Sequence, residues 1–174
     1  KGKNQLVGRA APPRRATSFD PDRLAQLQAV GCCPALPVDQ GLVAQIQDMY
    51  MPRAEKVVPT TRGHPFTNVM PPEDYHADNP VFRLAFSDDI LNAAEAYFDG
   101  KFSFASIQVI RSFPTEGKLR ESQKWHRDYG DSQSLHFILY LNDVLDDDGG
   151  PFAYIDREKS KKVNRSPVIR RLTD

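Results

Sequence analysis

The stretch that decides the predicted fold is residues 134–144, SLHFILYLNDV. Its side chains alternate with a period of two, which is typical of a β-strand rather than a helix. One face of this strand would carry only apolar side chains: Leu135, Phe137, Leu139 and Leu141. The opposite face would carry His136, Ile138 and Tyr140. The alternation therefore predicts a strand inside a sheet, with one face turned to a core.

Two neighbouring stretches have the same character. Residues 102–113, FSFASIQVIRSF, are rich in the aromatic and β-branched residues that favour strands. Residues 148–151, DGGP, are a strong turn signal, and a further short strand is predicted at 152–155. Since clustered strands follow a helical first half, the order predicts a mainly β protein with N-terminal helices, a β-sandwich or jelly roll.

Capping residues and helical periodicity predict three helices before residue 101. They are a helix that follows Asp20-Pro21 and ends at Gly31, a second after Val38-Asp39, and a third from Ser87-Asp88 to Gly100.

The remaining segments complete the predicted organisation. Residues 1–16 are basic and contain prolines, which predicts a flexible arm. Residues 51–80 predict a long irregular segment with an extended piece near 66–70. A single domain then covers 17–174. It divides into a helical buttress at 17–100, the β region at 101–156 and a basic connection at 157–174.

Composition narrows the class of protein. Lys plus Arg and Asp plus Glu both number 23, so no net field attracts nucleic acid or an anionic membrane. No apolar run approaches the roughly 18 residues of a membrane span. Cys32 and Cys33 are adjacent, which excludes a disulfide framework. These features predict a soluble, cytoplasmic protein that acts on a small molecule, with its oligomeric state undetermined.

The residues that point to chemistry are His126 and Asp128. On a strand, side chains two apart leave the same face, so an imidazole and a carboxylate would converge on one point. Two histidines and one carboxylate form the facial triad of non-haem Fe(II) oxygenases, and this pair would supply two of the three ligands. From spacing alone, a surface histidine beside an acidic turn is an equally good interpretation.

A second triplet of the same type, His76-Ala77-Asp78, shows that the spacing alone is weak. It lies in YHADNP, which lacks residues that favour strands. We predict a loop there, with Asp78 or Asn79 making a turn.

Three segments together resemble the phytanoyl-CoA dioxygenase family of Fe(II)/2-oxoglutarate-dependent oxygenases: QVIRSFP at 108–114, QKWHRDYGD at 123–131 and SLHFILYLNDVLDDDGGPFAYI at 134–155. The resemblance implies a double-stranded β-helix, a cupin-like jelly roll, with iron at its open end. It implies His126 and Asp128 as metal ligands and as catalytic residues. It implies Fe(II), 2-oxoglutarate and O2 as cofactor and cosubstrates, and hydroxylation of a small organic substrate with release of succinate and CO2. Because Asp128 is present, the resemblance favours hydroxylation over halogenation.

Four further residues are predicted to contact the cosubstrate, either from the strand before the metal ligands or from the strand after them: Gln108, Arg111, His136 and Tyr140. For Arg111 the alternative is an exposed charge at a strand end. Gln108 and Tyr140 are equally compatible with a place in the barrel wall, and His136 with the wall of the pocket.

The family also needs a distal histidine and, about ten residues later, a basic residue that pairs with the oxoacid. Neither is visible before Asp174, so the jelly roll is expected to be incomplete at the C-terminus of this sequence and to continue in a longer protein. Two alternatives stay open. One is a non-catalytic binding or scaffold protein on the same fold. The other is a zinc or manganese jelly roll that does not use 2-oxoglutarate.

Overall fold

The computed structural model describes residues 18–34, 36–59, 65–100, 102–114, 123–126, 133–146 and 149–163. The predicted arm at 1–16 lies outside them. In chain order the elements are α1 (Pro21–Val30), α2 (Gln40–Lys56), β1 (Phe66–Asn68), a 3-10 helix (Pro72–Asp74), α3 (Pro80–Ala85), α4 (Asp88–Phe98), β2 (Ile110–Ser112) and α5 (Arg157–Val163).

The three predicted helices are confirmed as α1, α2 and α4, and local capping explains the ends of the first two. The Asp20 carboxylate accepts a hydrogen bond from the Asp22 amide at 2.9 Å. Gly31 ends α1 with φ 93°, a left-handed conformation that glycine adopts without steric cost. The Asp39 carboxylate accepts from the amides of Gly41 and Leu42, at 2.8 and 3.1 Å. These bonds satisfy amides that a helix start leaves unpaired.

Helix α2 is longer than predicted, because it continues through Pro52 to Lys56. Proline inside a helix removes one backbone hydrogen bond and is usually a helix end. Here Tyr50 is fully buried on one side of Pro52, and Ala54 and Val57 pack against the core on the other side. Burial on both sides of the proline thus overrides its local preference.

The core lies between α2, α3 and the β1–β2 pair. It is formed by seven buried side chains: Leu42, Ile46, Tyr50, Val69, Met70, Leu84 and Val109. Helix α3, which the sequence did not predict, contributes Leu84 to it.

Strands β1 and β2 form an antiparallel pair, in which Thr67 lies opposite Arg111. Two further backbone bonds extend it, from the Val69 amide to the Val109 carbonyl and from the Phe113 amide to the Pro65 carbonyl, both at 2.8 Å. The extended piece predicted near residues 66–70 is confirmed.

The prediction of a mainly β jelly roll is wrong. Helices make up 45% of the structure, and the strands among the described residues are β1 and β2, of three residues each. Neither 134–144 nor 152–155 forms a strand. Alternation predicts which side chains would share a face, but a strand also needs backbone partners. The side chains of Phe137, Ile138, Leu139 and Tyr140 are all more than 40% exposed, so the described residues do not provide a second layer that covers them.

The basic connection also differs from its prediction, because it contains α5. The Asp156 carboxylate accepts from the Lys159 amide at 2.8 Å, which caps this helix. That bond and the ion pair with the Lys159 ammonium, at 3.0 Å, lower the pKa of Asp156. Among the described helices, none combines the length and apolar character that crossing a membrane requires.

Candidate functional site

His126 is exposed, and a contact with the backbone selects one tautomer of its neutral ring. Its Nδ1 lies 2.6 Å from the carbonyl oxygen of Lys124. A carbonyl only accepts, so the proton of this bond sits on Nδ1 and the lone pair of the neutral ring sits on Nε2. Metal-binding histidines are commonly oriented in this way, since the bond at one nitrogen holds the ring and raises the basicity of the other. The arrangement suits Nε2 ligation.

Asp128, the second predicted ligand, lies outside the described residues. Within the described ranges, no three His, Cys, Asp or Glu side chains cluster closely enough to hold a metal ion. Of the two predicted metal ligands, His126 is therefore the one that lies within the described residues.

Two of the predicted cosubstrate residues lie at the β1–β2 pair. Arg111 is the middle residue of β2 and is exposed, with its guanidinium 5.7 Å from the centroid of the Phe113 ring. Gln108 is exposed on the extended chain just before β2. Neither side chain is joined to Tyr140 by a hydrogen bond or ring contact in the described part of the chain. The structure therefore does not bring these three together.

The other two predicted cosubstrate residues lie in the segment that was expected to be a strand. His136 is exposed and has an interaction partner. The Tyr140 hydroxyl accepts a hydrogen bond from the Phe152 amide at 2.6 Å. This bond ties the two ends of the 140–152 loop together. The hydroxyl keeps its own proton, so Tyr140 can still donate to a ligand.

The helical core fixes this loop at Leu141. The Gln47 amide group on α2 donates to the Leu141 carbonyl at 2.8 Å. The Leu141 side chain also packs against the core cluster. The segment after His136 is therefore attached to α2 by one polar and one apolar contact, which is the supporting role that helices were predicted to have.

Replacing Tyr140 by phenylalanine is expected to speed hydrogen exchange at the Phe152 amide by about fivefold, because a hydrogen bond of about 1 kcal/mol is lost. Exchange measured by mass spectrometry on a peptide that covers 149–156 would show the change. Tyr154→Phe is the matched control, since the Tyr154 side chain is 47% exposed and makes no bond that would restrain this amide. Equal exchange in both variants would show that the Tyr140 bond does not hold the loop.

A buried polar network was missed by sequence reasoning. The Tyr50 hydroxyl donates to the Asp74 carboxylate at 2.9 Å and accepts from the Asn79 amide group at 2.8 Å. Arg53 forms an ion pair with the same Asp74 oxygen. Asn79 is 1% exposed, and its side-chain oxygen caps α3 by accepting from the Val81 amide at 2.9 Å. The predicted turn at Asn79 is thus confirmed, and the His76 triplet lies in the turn before α3.

This network joins α2 to the start of α3 rather than forming a reaction site. Every polar atom that it buries has a partner, and burial raises the pKa of Tyr50. A neutral phenol between an amide and a carboxylate acts as a fixed relay of hydrogen bonds. The signal that could have revealed it is an Asn before Pro80 at a helix start, which is a capping pattern.

Comparison with known proteins gives the chain no relative: no family model, no curated protein and no solved structure matches it.

Proposed function

We propose that this chain provides two iron ligands, His126 and Asp128, to a non-haem Fe(II)/2-oxoglutarate-dependent oxygenase that hydroxylates a small organic substrate. The observation that supports this best is the bond between His126 Nδ1 and the Lys124 carbonyl, because it orients the ring with Nε2 as the unprotonated nitrogen, the form in which a histidine binds a metal. The order of the three sequence segments at 108–155 supports the same function. The proposal is based on His126, Asp128 and these segments, and it does not depend on the jelly roll.

The donor set fits iron in chemical terms. Imidazole nitrogen is a ligand of intermediate softness and carboxylate oxygen is a hard one, and the pair leaves open positions on a ferrous ion. When bound, iron together with 2-oxoglutarate and O2 supplies the oxidising power, and the oxoacid leaves as succinate and CO2. The chain's own part is to hold the His126 ring in one orientation and to provide polar contacts to the oxoacid, for which Arg111 and Tyr140 are the candidates.

The direct test is an anaerobic titration of the full protein with Fe(II), with and without 2-oxoglutarate, followed by a measurement of succinate in air. We expect Fe(II) to bind and succinate to form only when iron and oxoacid are both present. Turnover with Zn(II) or Mn(II) and no oxoacid would instead identify a different metal enzyme. An absence of iron binding by the natural full-length protein would contradict the proposal.

A second candidate is a non-catalytic binding protein, and one observation favours it. The described residues between 125 and 154 include large exposed apolar side chains, and covering them with a partner would be favourable in free energy. Among them are Trp125, Phe137, Ile138, Leu139, Tyr140, Phe152 and Tyr154. The iron titration separates the two candidates, because the binding protein needs no metal.

A further inference from the structure

Six aromatic rings form a continuous row across α3, α4 and the chain that follows α4. We call this row the aromatic ridge. Consecutive ring centroids are 5.9, 6.2, 4.6, 5.8 and 5.9 Å apart. In that order the rings belong to Tyr75, Phe82, Phe86, Phe104, Phe102 and Phe98. These separations lie within the range in which aromatic pairs attract each other.

The ridge is open to solvent rather than part of the core. Tyr75 and Phe86 are each 46% exposed, and Phe104 is 42% exposed. The other three rings are half-buried. Contiguous exposed aromatic surface is uncommon on soluble proteins and marks a place where another group binds.

The charged residues in the part of the chain that forms the ridge indicate the charge of the partner that would bind there. Residues 71–100, which carry four of the six rings, contain seven acidic residues and one basic residue. The acidic ones are Glu73, Asp74, Asp78, Asp88, Asp89, Glu95 and Asp99, and the basic one is Arg83. Asp74 is paired with Arg53, and Asp99 also has an interaction partner, so the other five carboxylates give this stretch its negative charge. Aromatic faces and carboxylates both attract cations, so this surface favours a basic partner and disfavours nucleic acid.

We propose that the partner is the chain's own N-terminal segment, residues 1–15, KGKNQLVGRAAPPRR. This segment carries five basic residues and no acidic one. Pro12 and Pro13 favour the extended polyproline conformation, which docks on rows of aromatic rings at low entropic cost. The guanidinium groups of Arg14 and Arg15 can stack on ring faces and pair with the flanking carboxylates.

The described structure begins at Ser18, which is hydrogen-bonded to α4, one of the helices that carry the ridge. The Ser18 hydroxyl accepts a hydrogen bond from the Asn92 amide group on α4 at 2.9 Å. Asn92 shares one face of α4 with Asp88 and Glu95, which are four residues before it and three after it. Neither carboxylate is paired with a cation among the described residues. The chain therefore leaves the described structure beside unpaired negative charge.

The distances are compatible with docking in the same molecule. Phe98 lies six residues beyond Asn92, which is about 9 Å along the helix axis. Pro13 is five residues from Ser18 and can reach about 17 Å when extended. A tether of this length gives a high effective concentration, so even a weak contact is populated.

The test uses the full chain with the photo-crosslinker p-benzoylphenylalanine at position 11. We expect crosslinks to peptides that cover 75–104, with a yield that falls at least fivefold in a Phe86→Ser, Phe104→Ser double variant. Phe152→Ser is the control, because Phe152 is 58% exposed but lies outside the ridge. The yield should also fall severalfold at high salt, which screens exposed charges.

A second variant tests the same contact without changing the ridge, in case the ridge double variant does not fold. Arg14→Ser with Arg15→Ser leaves the ridge itself unchanged and should reduce the same crosslinks severalfold. Mixing isotope-labelled and unlabelled chains then separates contacts within one molecule from contacts between two. Crosslinks between molecules, crosslinks spread over the whole surface, or a yield unaffected by either pair of substitutions would each overturn the proposal.

Discussion

Replacement of His126 by alanine is expected to lower Fe(II)-dependent succinate formation in the full-length protein by about a hundredfold or more, since losing a ligand costs at least as much as losing one of its supporting contacts. The imidazole provides one of two ligands proposed in this chain, and alanine provides no substitute. Iron affinity, measured by anaerobic titration, should fall with the activity. The melting temperature should change little, because the His126 side chain is exposed.

His76→Ala is the matched control for this prediction. His76 is also exposed and also precedes an aspartate by two residues, but it lies in the turn before α3. We expect iron affinity and turnover to remain at the parental level in this variant. Loss of iron in His76→Ala together with retention in His126→Ala would show that the wrong triplet has been assigned.

The helices could be predicted because their signals are local. Asp20 and Asp39 cap helices through amides two or three residues away, and Gly31 ends α1 through its own backbone conformation. Where the local signal failed, contacts between distant residues were responsible. Pro52 should have ended α2, but burial of Tyr50 and packing of Ala54 hold the helix through it.

The strands were predicted less successfully than the helices, because a strand forms only where a second strand pairs with its backbone. Residues 134–144 have the period of a strand, yet in the described structure they form no strand, and their contacts include the bond from Gln47 to the Leu141 carbonyl and the bond between Tyr140 and Phe152. Residues 110–112 have a weaker pattern but find β1 across more than forty residues of chain. Pairing over such separations is a property of the whole fold and not of either stretch.

The candidate site was only partly predictable for the same reason. The residue types at 126 and 128 could be identified from spacing, whereas the orientation of the His126 ring depends on the Lys124 carbonyl and needs coordinates. The buried network joins residues 24 and 29 positions apart. No periodicity links Tyr50 to Asp74 or Asn79, so the capping pattern at Asn79 indicates a helix start but does not reveal the partners of this side chain.

Substitution of Asn79 by alanine is expected to have the largest effect on stability, a loss of about 2 to 3 kcal/mol in the free energy of unfolding. About 1 kcal/mol comes from the α3 cap at the Val81 amide. A further 1 to 2 kcal/mol, roughly, comes from the hydrogen bond to the Tyr50 hydroxyl, since both partners are buried. Urea denaturation followed by circular dichroism measures the change. Asn92→Ala is the control, because its amide group bonds to the exposed Ser18 and should cost less than about 0.5 kcal/mol.

A double-mutant cycle with Tyr50→Phe tests whether the two side chains act together. We expect a coupling of about 1 kcal/mol or more between them, because each single change already breaks the shared bond.

The raised pKa of Tyr50 also predicts how the stability of the protein depends on pH. Its pKa is raised in the folded state, so the folded protein holds this proton more tightly than the unfolded chain does. That contribution is complete below the unfolded value, about 10, and is lost as pH rises through the higher folded pKa. Parental stability should therefore fall more steeply than that of Tyr50→Phe above this pH. Additive effects in the cycle, or the same alkaline slope in both proteins, would contradict the network as described.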